Sequence, residues 1–337
     1  MEKFLKEFKT LAYVIKKADK ILLFAHSRPD GDTVGSVLAL KEYLNSLGKE
    51  TAVVCFDPMP EYLSLLTKET FVFPDRVNWE EFKLIIACDS VERGFEKIYS
   101  VKTPQSGIGK TGFNEVKKNF REDQVVALLD HHPGISLRGD INIIDPEYSS
   151  VCEIIFDFFS FNRVEISKKM ANHLLLGIVG DTGIFQHSNT TPKIMQIASM
   201  LMKKGASLSK LVEAVFVNKK ISTLKLWGRA FEKAKINLEN GMIISILTIK
   251  DLQECEASLE DINQVAGILD TVPGAKFALV LSEREGGIIK GSLRSEEYKG
   301  VDVSRIAAQF GGGGHKLASG FEVKGRIVET EKGWKII

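Results

Sequence analysis

The sequence predicts an α/β protein in two parts: a parallel-sheet domain, then a smaller α/β domain with a glycine-rich loop. Three observations carry this. Short apolar runs recur through the first half of the chain (21–25, 51–55, 84–88, 125–129 and 141–144), with helical periodicity around them. That is the pattern of strands buried on both faces and joined by crossover helices. Beyond about residue 227 it gives way to closely spaced strands and short helices that lead into Gly311-Gly312-Gly313-Gly314. Finally, 337 residues exceed one core, since single cores rarely grow past roughly 250 residues.

In chain order, Phe4, Phe8, Leu11 and Ile15 fall at helical spacing within residues 1–18. Residues 21–25 read as the first strand. It ends in His26-Ser27-Arg28-Pro29-Asp30-Gly31-Asp32, ahead of a helix over 37–47. Pro29 and Gly31 are expected to force a turn in which His26, Asp30 and Asp32 converge. An acidic loop that merely caps its helix would look the same. A second strand covers 51–55. The third, 84–88, ends in Asp89, and the fourth, 125–129, ends in Asp130-His131-His132-Pro133.

Taken alone, that last run reads equally well as a surface histidine pair in a turn. Three separate apolar strands, however, each finish in a carboxylate or an imidazole. In open parallel sheets, sites form outside the carboxyl ends of the strands. Carboxylates and imidazoles on rigid supports there are the ligands of a divalent cation.

Residues 94–123 carry Gly109-Lys110-Thr111, which superficially resembles a phosphate loop. Pro104 stands where that motif needs glycine, and no buried strand precedes it, so the stretch reads as a surface loop. A strand over 141–144 and a helix over 151–159 come next. A helix over 168–179 then delivers Gly180-Asp181-Thr182-Gly183. A lone carboxylate at the end of a buried helix is costly unless paired or bound to a cation. His187 reads as a supporting or surface group and His173 as a core histidine.

Residues 192–227 are helical and amphipathic, as a connector would be. The second part offers a strand over 241–249, a helix over 259–269, strands over 276–282 and 288–293, and a helix over 303–310. Arg294, Gly312, Gly313, Gly314, His315 and Ser319 then form a candidate phosphate-binding loop, because glycines let backbone N–H groups approach an anion. A flexible hinge is the alternative.

Hydrophobic residues make up 44% and charged residues 26%, with 45 Lys plus Arg against 44 Asp plus Glu. So balanced a charge supplies no field that would grip long duplex nucleic acid. Cys55, Cys88, Cys152 and Cys255 are scattered, as reduced thiols are. The amphipathic start is unlike a signal peptide, and no run reaches the ~20 apolar residues of a membrane span. These features lead us to expect a soluble, cytoplasmic protein.

With these residues placed, the sequence closely resembles the DHH phosphoesterase superfamily over nearly its whole length. His26-x-x-x-Asp30-x-Asp32, Asp89, Asp130-His131-His132 and Asp181 match its four successive motifs. Gly312-Gly313-Gly314-His315-x-x-Ala318-Ser319-Gly320 is similar to the signature of the DHH-associated C-terminal domain. The two-domain layout is most similar to the nanoRNase (oligoribonuclease)/pAp-phosphatase group, which also holds stand-alone phosphodiesterases of cyclic dinucleotides and their linear products. Two departures stand out. The 94–123 loop is longer than expected for that group, and Ile184 stands where relatives often carry a polar or basic residue.

The resemblance implies a catalytic metal-binding domain over 1–191, a helical linker over 192–227 and a substrate-binding domain over 228–337. It implies two divalent ions, one held by His26, Asp30 and Asp89, the other by Asp32, Asp89, His131 and Asp181, which together activate a water. Oxygen-rich ligands with one imidazole per ion favour Mn²⁺, with Zn²⁺ or Co²⁺ as the other fits. Asp130 is expected to orient a histidine, and His132 to touch the scissile phosphate or help the leaving group. Arg294, His315 and Ser319, with the glycine loop, are expected to hold the far phosphate or base, with domain closure completing the site.

The expected substrates are short single-stranded oligonucleotides and pAp-type nucleotides, without long duplexes or membranes as partners; self-association into a homodimer is left open. Two alternatives remain, a phosphodiesterase of cyclic di-AMP or pApA and a catalytically silent nucleotide-binding module.

Overall fold

The structure is a computed structural model that describes residues 3–63, 66–99, 120, 121, 123–214, 220–330 and 333–337. The stretch read as a surface loop therefore lies outside the described residues over 100–119. The chain divides into two compact units, Met1–Asn218 and Lys219–Ile337.

The first unit opens with α1 (Leu5–Lys17), which buries Phe8, Leu11 and Ile15. Then come β1 (Lys20–Ala25), α2 (Gly31–Ser46), β2 (Glu50–Val54), β3 (Leu84–Cys88), β4 (Val125–Asp130) and β5 (Ile141–Ile144). The five strands form one sheet in the order β2-β1-β3-β4-β5, parallel throughout. The wholly apolar runs are explained by burial on both sides. Leu23, Ile86 and Leu129 enter one core with the helices, while Leu22, Ile85 and Leu128 enter a second with Phe82, Phe95 and Tyr99.

Helices α3 (Val151–Phe161), α4 (Lys168–Asp181), α5 (Pro192–Lys203) and α6 (Leu208–Val212) complete the unit. Packing of α2 on α4 is unusually close, and glycine permits it. A Cβ at Gly35 would lie 2.4 Å from the His173 carbonyl oxygen, and one at Gly177 would lie 2.5 Å from Asp32 Oδ1. Helices approach this closely only where one of them lacks side chains at the crossing. The stretch expected as a connector divides between the units. On α5, Ile194, Ile197, Ala198 and Leu201 are buried in the first core, whereas Leu226 and Ala230 of α7 (Ile221–Glu232) belong to the second unit's core.

The second unit continues with β6 (Lys235–Asn237), β7 (Met242–Leu247), α8 (Ile249–Glu254), α9 (Val265–Asp270), β8 (Phe277–Arg284) and β9 (Ile288–Arg294). It ends with α10 (Val303–Ala308), β10 (Gly313–His315), β11 (Ala318–Lys324), β12 (Ile327–Thr330) and β13 (Gly333–Ile336). Six strands pair in the order β10-β11-β9-β8-β7-β6, with only β7 and β8 parallel.

Two expectations are corrected here. The helix expected over 259–269 is broken, because Gln264 sits at φ 75° between a 3₁₀ turn (Leu259–Ile262) and α9. The glycine run is neither free loop nor hinge over 313–315, because β10 pairs antiparallel with β11, Gly313 opposite Gly320 and His315 opposite Ala318.

Candidate metal centre

Three strand ends of the first sheet carry the site. After β1, Arg28 turns left-handed (φ 57°) and α2 begins at Gly31. Arg28 therefore makes the turn that the sequence suggested to Pro29 and Gly31, and Gly31 is already helical. Asp30 caps α2 through Oδ1, which accepts from the Asp32 and Thr33 N–H groups at 3.1 Å each. Its Oδ2 remains beside His26 Nε2 at 3.3 Å. The capping and cation readings of this acid are thus compatible. Asp89, just past β3, is itself left-handed (φ 54°), a conformation an Asp tolerates. That kink swings its carboxylate across the ends of β1 and β4.

The residues meet in overlapping groups. His26, Asp30 and Asp89 form one, and Asp32, His131 and Asp181 a second; Asp89 also meets His131 and His132. Within each group the candidate ligand atoms lie within 4.8 Å of one another. Asp89 Oδ2 is 3.3 Å from His26 Nε2, and Oδ1 is 3.8 Å from His131 Nε2. Asp181 Oδ2 lies 3.1 Å from His131 Nε2.

A carbonyl can only accept, so the ring nitrogen facing one carries the hydrogen. His26 Nδ1–H donates to the Ser27 carbonyl at 2.7 Å, and His131 Nδ1–H to the Tyr148 carbonyl at 3.3 Å. Both rings therefore turn Nε2 toward carboxylates, the orientation of a metal-binding imidazole. His26 Nε2 and Asp89 Oδ1 are buried and make no hydrogen bond. Buried polar atoms left this way are costly, so the donor set fits a divalent cation.

His132 is turned differently. Its Nδ1 faces Asp130 Oδ1 at 2.8 Å and Asp89 Oδ1 at 3.2 Å, and its Nε2 lies 3.2 Å from the Arg93 guanidinium. Asp130 also accepts the backbone N–H groups of His132 and Val91, at 3.0 and 3.1 Å. Arg93 is the functional candidate that sequence reasoning missed. Its guanidinium lies 3.5 Å from Asp89 and 3.7 Å from Asp30, the one arginine among the described residues paired with these acids. The available signal was its place four residues after Asp89, one helical turn past a strand end.

Electrostatics describe a site short of positive charge. Burial lowers the basicity of His26 and His131, yet Asp30 with Asp89, and Asp181 with Asp89, lift each to about 10. Burial likewise opposes a charge on His132, which Asp130 and Asp89 lift to about 9. Burial, reinforced by Asp181 and Asp89, pushes Asp32 well above the usual carboxylate range. Asp181 is raised by burial as well, while Asp89, though buried, is held well below that range by Arg93, His132 and His26.

A cation entering this cluster must displace protons from His26 and His131 and relieve the repulsion between Asp32 and Asp181. Its apparent affinity is therefore expected to rise with pH from 6 toward 10, with net proton release. Calorimetry in buffers of different ionisation heat measures that release; a pH-independent affinity would contradict the assignment.

Past α4 the chain makes a tight left-handed turn through Gly183, Ile184 and Phe185 (φ 55°, 59° and 63°). A β-branched residue in that region costs about 1–3 kcal/mol. The turn returns His187 beneath Asp181, with His187 Nδ1–H donating to the Asp181 carbonyl at 3.0 Å. Glycine at 183 leaves room for that ring, since a Cβ would lie 2.4 Å from His187 Nε2 and the imidazole would have to shift. His173 is a core histidine, lowered to about 4 by burial.

In the second unit, His315, Ala318 and Arg294 stand in one row across β10, β11 and β9. His315 and Arg294 thus share a face of the sheet, roughly 10 Å apart at the backbone. Ser319 is turned to other work, its hydroxyl donating to the His315 carbonyl at 2.6 Å. Gly312 and Gly314 are forced by contact, because a Cβ would meet the carbonyl oxygens of Gly320 and Ala318 at 2.2 and 2.6 Å. Gly313 faces open space.

Comparison with known proteins agrees with this division. Residues 20–178 match the DHH family, N-terminal domain, and residues 239–332 the DHHA1 domain. A Thermus thermophilus protein named bifunctional oligoribonuclease and PAP phosphatase NrnA is 29% identical over 95% of this chain and 89% of its own length. A Streptococcus mutans protein named as a probable enzyme of the same kind is 30% identical over 93% and 92%. The crystal structure of an exopolyphosphatase-related protein from Bacteroides fragilis superposes with a TM-score of 0.82 at 25% identity, covering 94% of this chain and 91% of that one.

Proposed function

The chain belongs to the DHH family of phosphoesterases, and from that membership we propose that it hydrolyses short oligonucleotides and pAp-type nucleotides with two Mn²⁺ ions. The observation that carries this reading is Asp89, whose Oδ2 lies 3.3 Å from His26 Nε2 and whose Oδ1 lies 3.8 Å from His131 Nε2, one carboxylate facing a histidine of each group. His26, Asp30 and Asp89 would hold one ion, and Asp32, Asp89, His131 and Asp181 the other. When bound, the ions supply Lewis acidity at the phosphoryl oxygens and acidify the attacking water. Oxygen donors with one imidazole per ion favour Mn²⁺ over thiolate-preferring metals.

The protein's own groups do the rest. Asp130 fixes His132 with Nδ1–H toward itself, so Nε2 and the adjacent Arg93 guanidinium face the same space. Arg93 is suited to a phosphoryl oxygen, because its planar fork matches that geometry and stays charged at every working pH. His132 Nε2 accepts from the Arg93 guanidinium at rest; released from that contact and protonated, it can donate to the departing oxygen. Arg294 and His315, with the glycine hairpin, take the substrate's far phosphate or base, and Ser319 acts by holding the hairpin.

Near-neutral charge, 45 basic against 44 acidic residues, supports short substrates, since long strands are gripped chiefly through their phosphates. The test is product release with Mn²⁺ from pAp, pApA, cyclic di-AMP, a five-mer and a thirty-mer RNA. Turnover of pAp and the five-mer well above the thirty-mer is expected. Turnover confined to cyclic di-AMP or pApA would replace this reading by nucleotide signalling, and no turnover with metal bound would leave a binding module.

Gly313→Val separates the two units' roles. A Cβ there meets nothing within 4 Å, so the hairpin is expected to fold while its open face is obstructed. KM is expected to rise several-fold with bound metal unchanged; loss of metal would refute the assigned role of the hairpin.

A further inference from the structure

One short segment, 148–153, running from the turn after β5 into the first turn of α3, reaches all three residues of the second group. The Tyr148 carbonyl accepts from His131 Nδ1–H at 3.3 Å. The Ser149 carbonyl accepts from Asn189 Nδ2 at 3.2 Å, and the same amide donates to the Asp181 carbonyl at 3.3 Å. The N–H groups of Val151 and Cys152, opening α3, donate to the two carboxylate oxygens of Asp32 at 2.7 and 2.9 Å. The first group is supported differently. His26 leans on the Ser27 carbonyl, Asp30 on the N–H groups of Asp32 and Thr33, and Asp89 on the Thr33 hydroxyl.

The segment is in turn clamped by a charge cluster on α3 and α5. Glu153 Oε2 accepts from the Ser149 N–H and hydroxyl at 2.8 and 3.0 Å, and the Tyr148 hydroxyl donates to Asp157 Oδ2 at 2.9 Å. Both acids are buried, with side chains 6% and 4% exposed, and both meet Lys193, at 2.8 and 2.7 Å. The same ammonium stands 4.7 Å above the Tyr148 ring. Two buried carboxylates on successive turns of one helix repel each other and are costly to desolvate. Lys193 bridges the two and offsets their repulsion, and so holds in place the carbonyls and N–H groups that aim the second group.

We propose that Lys193 is a positioning residue, which sets the cation affinity of the Asp32–His131–Asp181 group through the 148–153 segment and leaves the His26–Asp30–Asp89 group untouched. The two cations are therefore bound with separable affinities. This rests on the two-cation reading above. Partners that orient a ligand from behind commonly alter metal affinity 10–100-fold when removed.

The test is titration of the full chain with Mn²⁺ alone, read by calorimetry, in the unsubstituted protein, Lys193→Met, Lys193→Arg and Tyr148→Phe. In Lys193→Met one affinity is expected to fall about 10–100-fold while the other holds. Lys193→Arg, which keeps the charge, recovers most of the loss, and Tyr148→Phe shows a smaller loss at the same cation. Two unchanged affinities in folded Lys193→Met, or equal losses at both, would overturn the proposal. If Lys193→Met does not fold, Tyr148→Phe decides alone: loss at one cation supports the proposal, and two unchanged affinities overturn it. An unsubstituted protein that fails to bind two ions overturns the two-cation reading, and this proposal with it, whatever the variants do.

Discussion

Asp89→Ala is expected to reduce phosphoester hydrolysis at least about a thousandfold and to strip bound cations in the same step. Asp89 faces His26 Nε2 with Oδ2 and His131 Nε2 with Oδ1, so on the proposed assignment its loss removes a ligand from both ions. Metal ions supply several kcal/mol of transition-state stabilisation, and each 1.36 kcal/mol is about tenfold in rate. The substitution also leaves His26, His132 and Arg93 without the buried charge they face. Asp89→Asn controls for shape, since it keeps the outline and loses the charge. Elemental analysis beside pAp turnover reads both effects. Normal activity with two ions bound would refute the shared-carboxylate assignment.

His132→Asn is expected to lower kcat by about 10²–10⁴-fold while both ions remain. Its neighbour His131 presents Nε2 to the carboxylates. His132 instead hydrogen-bonds Asp130 through Nδ1 and meets Arg93 through Nε2. Two adjacent histidines of the same type thus take different work, because β4 ends just before them and the chain turns. Metal content and kcat measured together distinguish the roles: a fall in both would make His132 a ligand.

Much of this site is legible in the sequence because strand ends are legible. Apolar runs buried on both faces stop sharply, and the polar residues at each stop, His26, Asp89 or Asp130-His131-His132, are forced to one edge of the sheet. The part that is not legible depends on partners distant along the chain. The N-terminus of α3 anchors Asp32 from about 120 residues away, and no local pattern announces that pairing. Lys193 reads as one more surface charge on an amphipathic helix until α5 is seen packed on α3. Gly35 and Gly177 look like weak points in helices, and only the packing of α2 on α4 shows what they admit. The glycine run reads as an unusual backbone, which it is, and as a loop throughout, which Gly313 and Gly314 are not, because an edge strand of three residues leaves no alternating pattern to detect.

The measurement that tests the central claim most directly is a paired titration. Metal is removed from the protein with a chelator, Mn²⁺ is returned stepwise, and bound equivalents are counted against phosphate release from pAp. Activity absent without metal, and appearing as the second equivalent binds, is the predicted result. Full activity in the metal-stripped protein, or two bound equivalents with no hydrolysis of pAp or of a five-mer RNA, would contradict it.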